Sequence, residues 1–292
     1  NQKFDERDHA LKISKYFKTN HHEVEINDYS LDQIIEIIEK LDTPILDSSI
    51  IPSYILFKNL RDNNYKVAIG GDGGDEIFGG YNHYRILNKI NLVKNNLANF
   101  NLTFLNFLIR KIENLNFKGA QYLSFLSNNS FVYKIPFFLK NNLRTQILDF
   151  RVFENAKHLK FKNDNIDLVK QSQFIDINYT LPLSLLNKLD RCSMLNSVES
   201  RSPFLSKDVV EYSLTKLKSS DLVSNKDQKI FLKKIGHKYL PNNFIYERKQ
   251  GFSFPLIDIL KRDKEKEKIE NILTSKNSIF KKNGIKMLLT KT

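Results

Sequence analysis

The chain has 292 residues, of which 41% are hydrophobic, enough for a buried core in one large domain or two ordinary ones. Lysine and arginine outnumber aspartate and glutamate by 46 to 33, but the basic residues are spread out, so the net charge of +13 favours anionic ligands such as nucleotides over a nucleic-acid surface. No apolar run approaches the ~18 residues of a membrane span, and the single cysteine, Cys192, excludes an internal disulfide framework, so we expect a cytoplasmic protein with no membrane contact.

Residues 10–69 alternate between helix and strand patterns. An amphipathic helix carries Ala10, Ile13 and Phe17 on one face, and Ser30-Leu31-Asp32-Gln33 is a capping box. In chain order, the predicted elements are a helix ending near Phe17, a strand over 21–26, a helix over 31–41, a helix from Pro52 to Leu60 and a strand over 65–69. This alternation favours an α/β fold with a parallel sheet and crossover helices.

A glycine-dense turn follows the strand predicted over 65–69. Six of the ten glycines fall within eleven residues there, around the carboxylates of Asp72, Asp75 and Glu76. The six are Gly70, Gly71, Gly73, Gly74, Gly79 and Gly80. Glycine lets backbone N–H groups approach a polyanion closely, and carboxylates beside phosphates need a cation, most simply Mg²⁺. The turn matches neither the dinucleotide G-x-G-x-x-G pattern nor a Walker A loop, yet it predicts a phosphate and magnesium loop at the carboxyl end of a strand.

The rest of the chain is predicted to be mostly helical. We divide the chain into the remainder of a nucleotide-binding α/β region over 1–85, a mostly helical insertion over 86–180 and a helical part over 181–292. In the last part, Ser206 is expected to cap a helix over 208–217, Asp227 a helix running to Leu240, and Pro255 to start a final helix. Charged side chains also lie among apolar ones there and need partners, because burying an unpaired charge is costly. They are Lys188, Asp190, Arg191, Glu199 and Arg201.

Four sequence blocks resemble, in the same order, the synthetase domain of glutamine-hydrolysing asparagine synthetases, a family of the ATP pyrophosphatase (PP-loop) superfamily. The blocks are Asp42-Thr43-Pro44 with Asp47 to Pro52, Gly71 to Tyr81, Asp190 to Leu205, and Lys249 to Phe252. They cover most of the chain, and the Gly71 to Tyr81 block is the most specific. The resemblance implies an α/β fold with a partial adenine-nucleotide alpha-hydrolase-like (PP-loop) parallel sheet and a large helical subdomain.

The resemblance also implies a two-step ligase reaction with ATP and Mg²⁺ as cofactors. A substrate carboxylate, that of aspartate in the first instance, attacks the α-phosphate of ATP, pyrophosphate leaves, and glutamine-derived ammonia displaces AMP to give an amide such as asparagine. Two alternatives stay open. Because Asp47-Ser48-Ser49 differs from the substrate loop expected of dedicated asparagine synthetases, the acceptor could be a sugar or peptide carboxylate. The chain could also be a non-catalytic remnant that binds a partner.

By position, the resemblance assigns roles to individual residues. Asp75 resembles the magnesium-binding aspartate, and Asp72 resembles the acid beside the reacting acyl centre, which can accept a proton from the attacking amine. Lys249 resembles the lysine that neutralises developing phosphate and acyl charge. Nucleotide contacts are expected at Gly70, Gly71, Gly73, Gly74 and Lys249, and substrate contacts at Asp47, Ser49 and Glu76. A salt-linked brace beneath the site is expected from Asp190, Arg191, Glu199 and Arg201.

The sequence departs from the family pattern in several places. It contains neither the S-G-G-x-D-S phosphate loop nor the glutaminase domain, and we expect both upstream of Asn1. The family pattern also continues beyond Thr292, so we expect a fragment truncated at both ends and inactive alone. Gly70 stands where the family usually has serine or threonine, and Ser206 stands where an aspartate commonly follows Pro-Phe-Leu. Cys192 is expected to be a small core residue and not a nucleophile.

Overall fold

The computed structural model describes residues 7–26, 29–45, 47–96, 166–241, 244, 254–276 and 278–290. Residues 97–165, which make up most of the helical insertion predicted over 86–180, lie outside this described part. So does Lys249 with the rest of its sequence block. The insertion and the position of Lys249 therefore stay predictions.

The described part is a mostly helical α/β structure with a small parallel sheet. Its α-helices and strands are α1 (Arg7–Phe17), α2 (Leu31–Glu39), α3 (Ile50–Asp62), β1 (Val67–Ile69), α4 (Gly74–Phe78), α5 (Asn82–Asn96), α6 (Leu168–Ile175), α7 (Asn187–Leu195), β2 (Glu199–Arg201), α8 (Lys207–Lys216), α9 (Ser219–Leu222), α10 (Ile230–Gly236), α11 (Leu256–Leu260), α12 (Asp263–Leu273) and α13 (Lys282–Thr290). A π-helix (Asp176–Leu186) joins α6 to α7, and a short 3₁₀ helix (Pro203–Leu205) follows β2.

Local capping signals locate several helix starts. The capping box at Ser30 is confirmed: its hydroxyl accepts from the Gln33 N–H, and the Gln33 side chain accepts from the Ser30 N–H. The helix predicted from Ser206 begins at Lys207, although the Ser206 side chain makes no capping hydrogen bond. The helix predicted to run to Leu240 is wrong at both ends, because α10 begins only after Lys229 and ends at Gly236.

The sheet pairs β1 with a strand that the sequence did not reveal. β1 runs parallel to β2, with Val67 opposite Glu199 and Ile69 opposite Arg201, so a parallel sheet is confirmed over three residues a strand, with a partner strand that was not predicted. The strand predicted over 21–26 is wrong: these residues are irregular. Its two apolar side chains, Val24 and Ile26, pack on the core from one side without a ladder partner in the described part, and a strand needs such a partner to satisfy its backbone.

Two apolar clusters hold the described part together. The first packs α4, α5 and α6 around Ile77, Tyr84 and Leu87, all of which are fully buried. The second packs α2, α3 and α7, and includes Cys192. Burial raises the pKa of the Cys192 thiol to about 12, so this thiol is neutral and unreactive at physiological pH, as expected of a core residue. The helices of the described ranges include none that is long and apolar enough to cross a membrane.

Candidate functional site

The glycine-dense turn leaves β1 and enters α4 directly. The Gly70 N–H extends the sheet pairing by donating to the carbonyl of Arg201, 2.8 Å away. Gly73 then has a left-handed backbone, with φ of 82°, and a Cβ atom there would overlap the side chain of Leu205. Both features favour glycine at position 73, because any other residue there would strain the backbone and overlap Leu205.

This requirement gives a matched pair of stability predictions. We expect Gly73→Ala to lower the free energy of unfolding by about 1–3 kcal/mol, because the variant combines backbone strain with overlap at Leu205. Gly71→Ala is the control, because a Cβ at Gly71 would meet nothing within 4 Å, and we expect a change below about 0.5 kcal/mol. Urea unfolding of both variants measures the difference. Equal midpoints would show that the left-handed turn does not constrain the fold.

The carboxylate of Asp72 folds back over the start of the turn. Its Oδ2 lies 2.6 Å from the position that a Cβ on Gly70 would take. A side chain at position 70 would therefore displace this carboxylate from its present position. Asp72 is only partly buried, so it lies on the solvent-facing side of the turn, which we call the mouth of the turn.

Asp75 lies in the first turn of α4 and forms an ion pair with Lys229, with 2.7 Å between Oδ1 and Nζ. The two side chains are mostly buried. Gly80 makes this contact sterically possible, since a Cβ on Gly80 would overlap both the Asp75 carboxylate and the Lys229 stem. The Gln228 side chain also donates to the Gly80 carbonyl at 2.9 Å, so the residues before α10 fix the far end of the glycine turn.

Lys229 is the site residue that sequence reasoning missed. Its backbone is left-handed, with φ of 53°, an uncommon conformation for a residue other than glycine, and such strain is frequent at functional sites. The sequence offers no comparable signal, because a lysine that follows Asp227 and Gln228 before a helix looks like one more solvated charge. Its proximity to Asp75 arises only in the folded chain.

The described residues contain no complete metal cage, and the turn offers a metal only single carboxylates. No group of three or more His, Cys, Asp or Glu side chains in those ranges is arranged to hold a metal ion. Mg²⁺ is commonly held by one or two carboxylates together with waters and substrate phosphates. The Asp75 carboxylate therefore fits Mg²⁺ that arrives with a nucleotide, and does not fit a metal held by the protein alone.

Glu76 points away from the mouth of the turn, into the protein. Its side chain is 1% exposed and accepts a hydrogen bond of 2.5 Å from the hydroxyl of Tyr81. Burial raises the pKa of the Glu76 carboxyl, against the opposing effect of this hydrogen bond. The geometry thus gives Glu76 a structural partner in the core, and its predicted substrate contact has no support from the described contacts.

The raised pKa of Glu76 leads to a pH prediction. A carboxyl whose folded-state pKa is raised loses stabilising free energy as pH rises from its unfolded pKa, about 4.3, through the folded value. We expect Glu76→Gln, which keeps an oxygen for Tyr81, to remove part of the decline in stability over the weakly acidic range. Chemical unfolding of the variant and the parent at several pH values measures this. Parallel profiles of stability against pH for the variant and the parent would contradict this prediction. Tyr81→Phe should extend the decline in stability to higher pH, because it removes the hydrogen bond that lowers the pKa of Glu76.

A polar network holds the short helix α4 and the start of α5 in place. The buried carboxylate of Asp176 accepts from His83 at 2.8 Å, from Tyr84 at 2.7 Å and from Thr180 at 2.9 Å. At the carboxyl end of α4, the Gln173 amide donates to the carbonyl of Ile77 at 2.7 Å. This last bond satisfies a carbonyl that a five-residue helix leaves unpaired, while the Asp176 bonds join the π-helix to α5.

Asp47 and Ser49, the predicted substrate residues, belong to a separate cluster at the start of α3. The Lys188 ammonium donates to Asp47 Oδ2 at 2.8 Å and to Ser49 Oγ at 2.7 Å, and Ser49 Oγ donates to Asp47 Oδ1 at 2.7 Å. Burial favours a higher pKa for Asp47, but the hydrogen bonds from Lys188 and Ser49 outweigh it and hold the pKa of that carboxyl below its usual range. This cluster ties α3 to α7.

The charged residues of the predicted brace are paired but mostly exposed. Arg191 contacts Asp42 at 2.6 Å and Asp190 at 2.9 Å, while Arg201 contacts Glu199 at 2.8 Å. The expectation that these charges are buried is wrong for Glu199 and Arg201, because β2 is short and leaves both side chains in solvent. Exposed pairs of this kind contribute little to stability. Among the five charged residues that lie between apolar ones in the sequence, the four of the brace and Lys188, only Lys188 is buried.

The structure therefore brings together one part of the predicted site. The two acids Asp72 and Asp75 share one turn with the four glycines expected to contact the nucleotide, Gly70, Gly71, Gly73 and Gly74. Asp47 and Ser49 form the Lys188 cluster, and Glu76 faces the core. The predicted convergence of Lys249 on Asp72 and Asp75 lies outside the described residues.

Comparison with known proteins agrees with the sequence blocks. A family model described as asparagine synthase matches residues 1–291. The chain is 24% identical over 257 residues to glutamine-hydrolyzing asparagine synthetase 1 of Bacillus subtilis, an alignment covering 83% of this chain and 39% of that relative. It is 32% identical over 79 residues to glutamine-hydrolyzing asparagine synthetase of Zea mays, covering 26% of this chain and 13% of the relative. The chain thus spans well under half the length of these relatives.

Proposed function

Because the chain belongs to the asparagine synthase family, we propose that it is the synthetase part of an ATP-dependent amidotransferase with a PP-loop fold. In the first step, a substrate carboxylate oxygen bonds to the α-phosphorus of ATP and the bond to the β-phosphate oxygen breaks, releasing pyrophosphate. In the second step, ammonia bonds to the acyl carbon, AMP leaves with the electron pair of the broken C–O bond, and the nitrogen loses a proton. The products are an amide, AMP and pyrophosphate.

The observation that carries this proposal is that Asp72 and Asp75 both lie on the glycine turn at the carboxyl end of β1. Ligands of open α/β sheets bind outside the carboxyl ends of strands. The Gly71 backbone can approach phosphates closely there, because no Cβ atom intervenes, whereas the Gly70 N–H is already donated to the Arg201 carbonyl.

The two acids have different proposed roles because their surroundings differ. Asp75, fixed by Lys229 in the first turn of α4, would hold the Mg²⁺ that accompanies the nucleotide. When bound, this ion would neutralise charge on the phosphates. Asp72, in the open mouth of the turn, would accept the proton that the attacking nitrogen loses. Lys249 is proposed to neutralise developing phosphate and acyl charge, and Lys249→Ala should then abolish adenylation.

Aspartate is the first candidate acceptor, and glutamine-derived ammonia from a glutaminase domain is the proposed nitrogen source. Two observations bear on the alternatives. Asp47 and Ser49 are engaged by Lys188, so they do not form a free substrate loop. A cleft of about 550 Å³ beside the glycine turn is larger than aspartate needs. A sugar, peptide or other carboxylate is therefore the second candidate acceptor.

The test is the identity of the nucleotide product. The whole protein, supplied with ATP, Mg²⁺, glutamine and aspartate, is expected to release AMP and pyrophosphate in equal amounts. Replacing aspartate with other carboxylates identifies the acceptor. Release of ADP and phosphate would reject the adenylation mechanism. Absence of both ATP binding and turnover would favour the alternative of a non-catalytic, partner-binding remnant.

A further inference from the structure

A cleft of about 550 Å³ lies between the end of α1 and helix α10, beside the glycine turn. Its described walls are mainly apolar and come from Phe17, Leu232, Ile235, Tyr239 and Leu240. Pockets that hold drug-sized organic ligands have volumes of roughly 300–1,000 Å³ and are lined in the same way, by apolar and aromatic side chains with a few polar groups.

The apolar walls are unusually open to solvent for side chains of their type. Tyr239 is 64% exposed, Phe17 is 50% exposed and Ile235 is 37% exposed. Large apolar side chains that face one concave surface indicate a ligand or partner site, whereas single exposed ones do not. The concave arrangement of these side chains around one volume is the first observation in favour of a ligand.

The polar end of the cleft is the far end of the glycine turn. Gly80, Gln228 and Lys229 all line the cleft, and Lys229 is the residue that pairs with Asp75. A ligand in the cleft would therefore place one end next to the Asp75–Lys229 pair and its body along α10. The cleft thus meets the proposed active-site turn at Gly80 and, through Lys229, at the ion pair with Asp75.

The two charged side chains of the described lining are both ion-paired lysines, Lys229 and Lys233. Each has a carboxylate partner, Asp75 for Lys229 and Asp227 for Lys233, and neither carboxylate is among the described lining residues. The surface offered to a ligand therefore combines apolar walls with ammonium groups at the polar end. This combination suits an anionic group attached to an apolar body.

We propose that this cleft binds the acceptor substrate, and that the acceptor is a carboxylate carried on an apolar or aromatic body. The proposal rests on the proposed function, since it names the substrate class for that reaction. Aspartate is far smaller than a drug-sized ligand and polar at both ends, so it would leave most of the cleft and all of its apolar wall uncovered. An acceptor with an aromatic body fills the cleft and presents its carboxylate at the glycine turn.

The binding test uses three probes on the whole protein: 3-phenylpropionate, its neutral analogue 3-phenylpropanol, and aspartate. Isothermal titration is expected to show 3-phenylpropionate binding at least ~10-fold more tightly than either of the others, because only this probe covers the apolar wall and also meets the lysines. Equal affinity of 3-phenylpropionate and aspartate would overturn the proposal, and so would equal affinity of 3-phenylpropionate and 3-phenylpropanol.

Variants locate the bound probe. Tyr239→Ala and Leu232→Gln are expected to weaken 3-phenylpropionate binding at least ~10-fold, because each removes apolar wall. Tyr179→Ala is the matched control, since Tyr179 is a partly exposed tyrosine of the π-helix outside the described lining of the cleft. Binding that is unchanged in Tyr239→Ala and Leu232→Gln, or weakened equally by Tyr179→Ala, would overturn the assignment to this cleft.

Measuring pyrophosphate release separates this proposal from the proposed function. Aromatic carboxylates that bind and also stimulate AMP and pyrophosphate release support both. Pyrophosphate release with aspartate, but no binding of 3-phenylpropionate, overturns the cleft assignment and leaves the proposed function in place. Tight binding of 3-phenylpropionate with release of ADP overturns the proposed function and, with it, the role of the cleft as an acceptor site.

Discussion

Asp75→Asn is expected to lower pyrophosphate release by the whole protein about 10²–10³-fold while leaving the fold intact. Asparagine keeps the shape of the side chain but removes the negative charge, which both the Lys229 ammonium and a nucleotide-bound Mg²⁺ require. The measurement is the initial rate of pyrophosphate release at saturating ATP, together with a thermal unfolding curve that confirms folding.

A matched control for Asp75→Asn is Asp227→Asn. Asp227 pairs with Lys233 of α10, as Asp75 pairs with Lys229 just before α10, but Asp227 lies outside the glycine turn. We expect this control to keep near-normal rates. Near-normal pyrophosphate release by Asp75→Asn would contradict the metal role. A loss of similar size in Asp227→Asn would show that the effect comes from the packing of α10 and not from the turn.

Lys188→Met is expected to have the largest effect on stability. The Lys188 ammonium is buried and donates to both Asp47 and Ser49, so its removal leaves a partly buried carboxylate without its cation. Breaking a buried pair costs roughly 3–5 kcal/mol. Because the Asp47 side chain is 31% exposed, solvent recovers part of this, and we expect about 2–3 kcal/mol at neutral pH. Urea unfolding measures the loss.

The pH dependence of this loss has a definite sign. The folded-state pKa of Asp47 is lowered, so its contribution is fully present above the unfolded pKa and disappears as pH falls through the folded value. The gap between parent and Lys188→Met should therefore narrow in acid. The control is Lys58→Met, which replaces an exposed lysine of helix α3, the helix that Ser49 precedes. Equal unfolding midpoints for Lys188→Met and Lys58→Met would show that the cluster is not structural.

Local sequence signals predicted those features that depend on a few neighbouring residues. The capping box at Ser30 located α2, because both hydrogen bonds of the box join residues three apart. The glycines of the turn after β1 implied a left-handed backbone and close packing, and Gly73 has that conformation. The strand predicted over 65–69 is present as Val67–Ile69, shortened by two residues.

Signals of the same kind failed where a distant partner decides the outcome. Residues 21–26 have a strand-like pattern but no neighbouring strand in the described part, whereas Glu199–Arg201 has no such pattern and pairs with β1. The prediction that charged side chains are buried was wrong for the same reason. Glu199 and Arg201 lie among apolar residues in the sequence, yet the short strand that they form in the described part leaves both side chains in solvent.

The sequence by itself determined the family, the order of the four blocks and the conformational demands of the glycine turn, because residue identity and short spacing carry this information. Only the tertiary structure decided that Lys229 pairs with Asp75, that Lys188 engages Asp47 and Ser49, and that Glu76 faces the core. It also decided that the apolar side chains of α1 and α10 enclose a cleft beside the turn. These contacts join residues far apart in the chain, and their energies depend on burial and distance, which are set only when the helices pack.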